Sequence, residues 1–175
     1  MGRDPERVRS VAEAASLAGG GVRVDALVAD LALMSNVRVL AEQISGRYGR
    51  VDVLANNAGA LFASRKETSE GLERTFALNH LAPFLLTNLL RGRLTGGRVV
   101  TTASGAHRSG RPDLDDLQSL RSYSARVYGT SKLCNILFTR ELAKRAPELR
   151  ANCFHPGVVR TGFARPTARP LLGAG

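Results

Sequence analysis

The chain has 175 residues, 43% hydrophobic and 5% aromatic, which suits one globular domain and leaves few rings for stacking on nucleic-acid bases. Its formal charge is +10, yet the basic residues are nearly all arginines spread along the chain, with lysine only at Lys66, Lys132 and Lys144 and no basic run, so no nucleic-acid partner is expected. The longest apolar stretch, residues 81–90, is interrupted by Pro83, Thr87 and Asn88 and is too short to span a bilayer, and residues 1–9 are polar with no signal-peptide pattern, so a cytoplasmic protein is expected.

In chain order, Asp4 and Pro5 read as the N-cap and first position of a helix over 5–17, stopped by Gly19-Gly20-Gly21. Residues 22–28, with Val22, Val24, Leu27 and Val28, predict a strand. Residues 34–48 predict a helix with Val37, Leu40, Ile44 and Tyr48 on one face. A short strand over 51–55 runs into the small-residue turn Asn56-Asn57-Ala58-Gly59. Residues 69–91 predict a long helix with Glu70 and Glu73 in its first turns and Pro83 bending it. A strand over 99–102 delivers Ser104, and 125–145 predict a helix. A last strand over 151–154 leads into Pro156-Gly157 and Thr161. Cys134, on the helix, and Cys153, in the strand, read as free thiols without metal-ligand spacing. The domain is expected to occupy 1–164, with 165–175 a flexible tail containing two prolines and two glycines.

Alternating helices and strands predict an α/β fold with an open parallel sheet. In such a sheet ligands bind beyond the carboxyl ends of the strands. The turn after 51–55 and the hydroxyl of Ser104 fall there. Tyr128 and Lys132 lie four residues apart and so share one face of the following helix. An ammonium beside a phenol favours the phenolate and lowers its pKa from about 10. Such a tyrosine can give a proton to a carbonyl oxygen or take one from an alcohol.

Asn56-Asn57-Ala58-Gly59, Asn79, Ser104, Tyr128-x-x-x-Lys132 and Pro156-Gly157-x-x-x-Thr161, in this order, resemble the short-chain dehydrogenase/reductase family. The runs 77–87 and 131–142, and a 24-residue interval from Ser104 to Tyr128 that holds Asp116-Leu117-Gln118-Ser119, resemble its retinol dehydrogenase and WW-domain oxidoreductase branch. The resemblance implies a Rossmann-like doubly wound parallel sheet and NADP(H)-dependent interconversion of an alcohol and a carbonyl compound, NAD remaining an alternative. The substrate class it implies is small and lipophilic; the oligomeric state is left open.

It also implies roles. Tyr128 is the general acid/base, Lys132 binds the nicotinamide ribose and lowers the Tyr128 pKa, Ser104 bonds the substrate oxygen, and Asn79 holds a relay water. Asn56, Ala58 and Gly59 line the adenosine side, while Pro156, Gly157 and Thr161 close over the nicotinamide. Arg3 pairs with a 2′-phosphate. Asp30 either meets the adenine or caps a helix. Thr101 and Ala103 depart from the family's more usual Asn and Ser. The family's opening Gly-rich cofactor-binding segment is not found ahead of residue 22, and its first two strands and last strand are expected to be missing. In the sheet order 3-2-1-4-5-6-7 this leaves a gap between the strand at 22–28 and that at 51–55. A non-catalytic remnant acting as a binding module is the alternative reading.

Overall fold

The computed structural model describes residues 1–157; Thr161 and the expected boundary at 164 and tail lie outside the described residues. Helix α1 (Pro5–Ala18) starts where Asp4 accepts from the backbone N–H groups of Glu6 and Arg7, both at 3.1 Å. Pro5 sits in the first turn, where a missing N–H removes no intrahelical bond. The helix stops at Gly19, and none of its residues is buried.

Residues 22–28 do not form the expected strand. Only Val28 pairs, in an isolated parallel bridge with Gly2, where the Gly2 N–H donates to the Leu27 carbonyl at 3.3 Å and Ala29 donates back to Gly2 at 2.9 Å. Val22, Val24 and Val28 stay exposed. Apolar alternation makes a segment fit for a sheet, but a strand exists only through a neighbour's backbone.

Helix α2 (Met34–Arg47) buries Val37, Leu40, Ala41 and Ile44, the stripe read from spacing. Its own flanking residue supplies no side-chain cap. Glu70 does so from 35 residues away, accepting from the Met34 and Ser35 N–H groups at 2.6 and 2.9 Å. Glu70 is therefore not in the first turn of the helix expected over 69–91. That helix begins later and in three pieces: α3 (Arg74–Phe76), a π-helical turn (Ala77–Leu81) and α4 (Ala82–Leu89). Glu73, fully buried, caps it by accepting from Thr75 and Phe76 at 2.7 Å each. Pro83 lies in the first turn of α4 and has no N–H for the carbonyl of Asn79, which instead accepts from Asn135 Nδ2 at 2.8 Å. The bend expected at the proline is thus taken up in the wide turn before it.

Strands β1 (Val53–Asn56), β2 (Arg98–Thr102) and β3 (Arg150–Phe154) form a parallel sheet in the order β1-β2-β3, with Leu54 opposite Val99 and Val99 opposite Ala151. Helix α5 (Arg126–Arg145) joins β2 to β3. Leu54 and Val99 share one apolar core with Leu40 and Ile44 of α2, Leu86 of α4 and Phe138 and Leu142 of α5. The α/β class and parallel order agree with the sequence reading. Among the described residues the sheet has three strands, with β1 and β3 at its edges. Cys134 is buried and Cys153 half-buried, both free thiols.

Candidate active site

Each strand of the sheet ends at a chemical candidate. β1 ends on Asn56, whose Nδ2 donates to Thr87 Oγ1 at 3.0 Å, and runs into the turn of Asn57, Ala58 and Gly59. β2 ends on Thr102, whose hydroxyl donates to Asn57 Oδ1 at 2.9 Å and so ties the two strand ends together. Ser104 follows and caps the 3-10 turn Gly105–Ser109, its Oγ accepting from Ala106 N–H at 3.2 Å. That bond uses a lone pair of Oγ and leaves its proton to be donated elsewhere.

Helix α5 brings Tyr128 and Lys132 across this edge. Lys132 is 3% exposed, its Nζ donates to the Thr102 carbonyl at 2.9 Å, and it lies 5.7 Å from the centre of the Tyr128 ring. Burial disfavours the ammonium and pulls the Lys132 pKa down from 10.5 to about 8. Tyr128 is half-buried at the same edge.

Asn79 locks the centre of the site. It is fully buried in the π-helical turn; its Oδ1 accepts from Ala60 N–H at 2.9 Å, and its Nδ2 donates to the Ala60 carbonyl at 3.0 Å and to Ser131 Oγ at 3.1 Å. Ser131 in turn donates to the Tyr128 carbonyl at 2.7 Å. The wide turn, the loop after β1 and the helix bearing the Tyr–Lys pair are thereby one hydrogen-bonded unit. Gly59 passes so close that a Cβ there would lie 3.1 Å from Asn79 Oδ1 and 3.3 Å from Lys132 Nζ. Gly129 is equally constrained: a Cβ would lie 2.5 Å from the Ala106 carbonyl and 2.7 Å from Ser109 Oγ. Its bare backbone lets α5 seat against the turn that carries Ser104.

The structure brings Asn56, Gly59, Asn79, Ser104, Tyr128 and Lys132 to this edge, with Ala58 exposed beside them. Pro156 and Gly157 follow β3 and are exposed, with Gly157 N–H donating to His155 Nδ1 at 3.0 Å. Asp30 accepts from Ala32 N–H at 3.0 Å within the turn before α2, so its carboxylate closes that turn and is not the cap of the helix itself. Arg3 is exposed at the start of α1, beside the Gly2–Val28 bridge and outside the hydrogen-bonded unit.

Sequence reasoning missed Gly129, Ser131 and Asn135. A signal was present, since Ser131, Lys132 and Asn135 follow Tyr128 at three, four and seven residues and share its helix face. Asn135 Oδ1 also accepts from His80 Nδ1 at 3.0 Å, and burial holds the His80 pKa below its usual value. The loop with Asp116 and Gln118 is pinned over α3, because Gln118 Oε1 accepts from Glu73 N–H at 2.7 Å and Tyr123 OH meets Thr75 Oγ1 at 2.8 Å.

The family described as short chain dehydrogenase matches residues 1–171. The chain belongs to this family. A Streptomyces sp. (strain C5) protein named as a daunorubicin C-13 ketoreductase is 48% identical over 169 residues, which cover 95% of this chain and 58% of that protein. Retinol dehydrogenase 14 of Mus musculus is 42% identical over 149 residues, covering 82% of this chain and 45% of its own length. This member of the family thus spans about half the length of the curated relatives it matches. A crystal structure of a Burkholderia cenocepacia short chain dehydrogenase in complex with NADP superposes with a TM-score of 0.68 at 28% identity, covering 87% of this chain and 59% of that one. The resemblance to an oxidoreductase of the retinol dehydrogenase type is established, and among the described residues no helix is long and apolar enough to cross a membrane.

A nicotinamide cofactor fits these residues in part. The turn Asn56–Gly59 and the buried Lys132 offer a close backbone approach and a cation for ribose hydroxyls. A pyrophosphate needs a free helix N-terminus. Asp4, Glu70 and Glu73 each occupy one with a carboxylate, on α1, α2 and α3.

Proposed function

We propose that residues 1–175 carry the catalytic half of an NADP(H)-dependent oxidoreductase that interconverts a lipophilic alcohol and its carbonyl compound in the cytoplasm. The observation that carries the reading is the linkage of Tyr128, Ser131, Asn79 and the loop after β1, with the Lys132 ammonium buried against it. In this reading Tyr128 moves the proton on the substrate oxygen and Ser104 donates a second hydrogen bond to that oxygen. Lys132 stabilises the tyrosinate and holds ribose hydroxyls. Asn79, its own side-chain atoms committed to Ala60 and Ser131, fixes the turn over which a relay water sits. Bound NADP(H) supplies or accepts the hydride. Asn56, Ala58 and Gly59 flank the cofactor, Pro156, Gly157 and Thr161 cover it, Asp30 meets the adenine, and Arg3 pairs with the 2′-phosphate through its fork of N–H donors.

Three carboxylate-capped helix N-termini, on α1, α2 and α3, favour a second reading for residues 1–175 taken alone: a binding module that keeps the site's geometry without turnover. One experiment separates the two. The parts of the Streptomyces relative that lie outside the matching region are grafted onto the chain, and carbonyl reduction with NADPH is followed. The graft is expected to turn over, and Tyr128→Phe to lower its turnover at least about a hundredfold, the scale of lost acid–base help. Near-unchanged reduction by Tyr128→Phe sinks the catalytic assignment, and an inert graft that binds NADPH supports the binding module.

A further inference from the structure

Two polar side chains packed behind the site take no part in the proposed chemistry. Asn135 of α5 is 2% exposed. His80, in the π-helical turn, is half-buried among Phe76, Phe84 and Phe138, whose ring centres lie 5.2, 6.2 and 6.5 Å from its own. Apolar side chains would fill both places. A buried amide costs free energy unless its bonds are made, so packing alone does not account for Asn135.

The bonds of the pair have a direction. Asn135 Nδ2 donates to the Asn79 carbonyl at 2.8 Å. A carbonyl oxygen cannot donate, so that end of the Asn135 amide is the NH2, and Oδ1 is the end that faces His80 Nδ1 at 3.0 Å. His80 Nδ1 therefore carries a proton and donates it. Without that N–H nothing holds the amide against a flip, which would set two carbonyl oxygens against each other. The Asn79 carbonyl depends on this donor, because Pro83, four residues on, has no N–H. The side chain of the same Asn79 clamps Ala60 at both its N–H and its carbonyl, and donates to Ser131. Next to Ala60, Gly59 stands so close that a Cβ there would lie 3.1 Å from Asn79 Oδ1 and 3.3 Å from Lys132 Nζ. Releasing the turn at Asn79 thus opens the Gly59 loop and admits water to Lys132.

We propose that His80 and Asn135 are positioning residues that act as one unit. The His80 N–H orients the Asn135 amide, the amide holds the Asn79 carbonyl, and the turn so held keeps Gly59 and Asn79 closed over Lys132. The catalytic meaning of the unit rests on the proposed roles of Tyr128 and Lys132; the positioning rests only on the bonds within the chain.

The test reads Lys132 directly. The only lysines are Lys66, Lys132 and Lys144, so 13C labels at their ε carbons follow each ammonium through a pH titration of residues 1–175. His80→Phe keeps a ring in the aromatic cluster and removes the N–H. It is expected to raise the Lys132 titration point by at least about one pH unit, as water reaches the ammonium. His80→Asn restores a donor near the place of Nδ1 and gives up the ring. It is expected to leave Lys132 within about half a unit of its native titration point, even with a lowered melting temperature. Asn135→Leu is expected to match His80→Phe, and the double variant to shift no further than either alone, as members of one network do. An unmoved Lys132 in His80→Phe, a shift in His80→Asn as large as that in His80→Phe, or single shifts that add in the double variant overturns the proposal. Where Asn135→Leu does not fold, the two His80 variants decide the case alone. In the graft with NADPH, His80→Phe is expected to lower kcat at least about tenfold and His80→Asn to retain most of it. Unchanged turnover of His80→Phe in an active graft overturns the proposal as well. An inert graft in which Lys132 still shifts as expected supports the positioning and sinks only the catalytic reading.

Discussion

Replacing Lys132 by Met removes a buried ammonium from the centre of the site, and the effect has a pH dependence fixed in sign. The group is 3% exposed, and burial lowers its pKa from 10.5 to about 8. Below pH 8 the side chain is charged in both the folded and unfolded states, and the folded state bears the full desolvation penalty. Between about 8 and 10.5 the folded protein has released the proton and the unfolded chain has not, so stability rises with pH; above 10.5 the penalty is gone. The span corresponds to about 3 kcal/mol at 1.36 kcal/mol per pH unit. Lys132→Met has no proton to release. Its constant offset includes the lost bond to the Thr102 carbonyl and the packing of the thioether, neither of which titrates. The stability of the native chain relative to Lys132→Met should therefore climb by about 3 kcal/mol from pH 7 to 10.5. Urea denaturation of both proteins across that range measures it. With a slope of about 2 kcal/mol per molar, the midpoint of the native chain should gain about 1.5 M on that of the variant. A midpoint difference that stays flat, or that moves the other way, refutes the burial argument and with it the view of Lys132 as a poised cation.

Gly129→Ala drives a methyl into the Ala106 carbonyl and Ser109 Oγ, and should lower stability by about 1–3 kcal/mol, the scale of overpacking; a melting temperature equal to the native one refutes the close approach of α5 to the Ser104 turn. Residues 1–175 alone should bind NADPH only weakly, because carboxylates occupy the helix N-termini of α1, α2 and α3. Calorimetric titration showing micromolar affinity would contradict that. In the graft described above, NADPH should be preferred over NADH, and Arg3→Ala should erode the preference by about 1–3 kcal/mol, the scale of a charged hydrogen bond; equal affinity of the unmutated graft for both cofactors removes the 2′-phosphate role from Arg3.

What the sequence determined by itself was local. Asp4 and Pro5 place the start of α1, and Val37, Leu40 and Ile44 orient α2, because a helix closes its hydrogen bonds within four residues and shows its buried stripe as spacing. Tyr128 and Lys132 could be set on one face for the same reason. Strand ends bearing Asn56 and Ser104 were legible because an open parallel sheet gathers them at one edge. Tertiary structure decided whatever depends on a distant partner. Residues 22–28 have the composition of a strand, yet only Val28 pairs, since the remaining backbone lacks a neighbour at strand distance. Glu70, written next to one helix, caps another 35 residues earlier. Pro83 is recognisable as a disturbance, but its resolution into a π-helical turn rests on Asn135 taking the Asn79 carbonyl from 56 residues away. The depression of the Lys132 pKa is of the same kind: four residues of spacing put the ammonium on the right face, and only the packing of the Gly59 turn and the Thr102 carbonyl around it withdraws the water that would have kept it at 10.5.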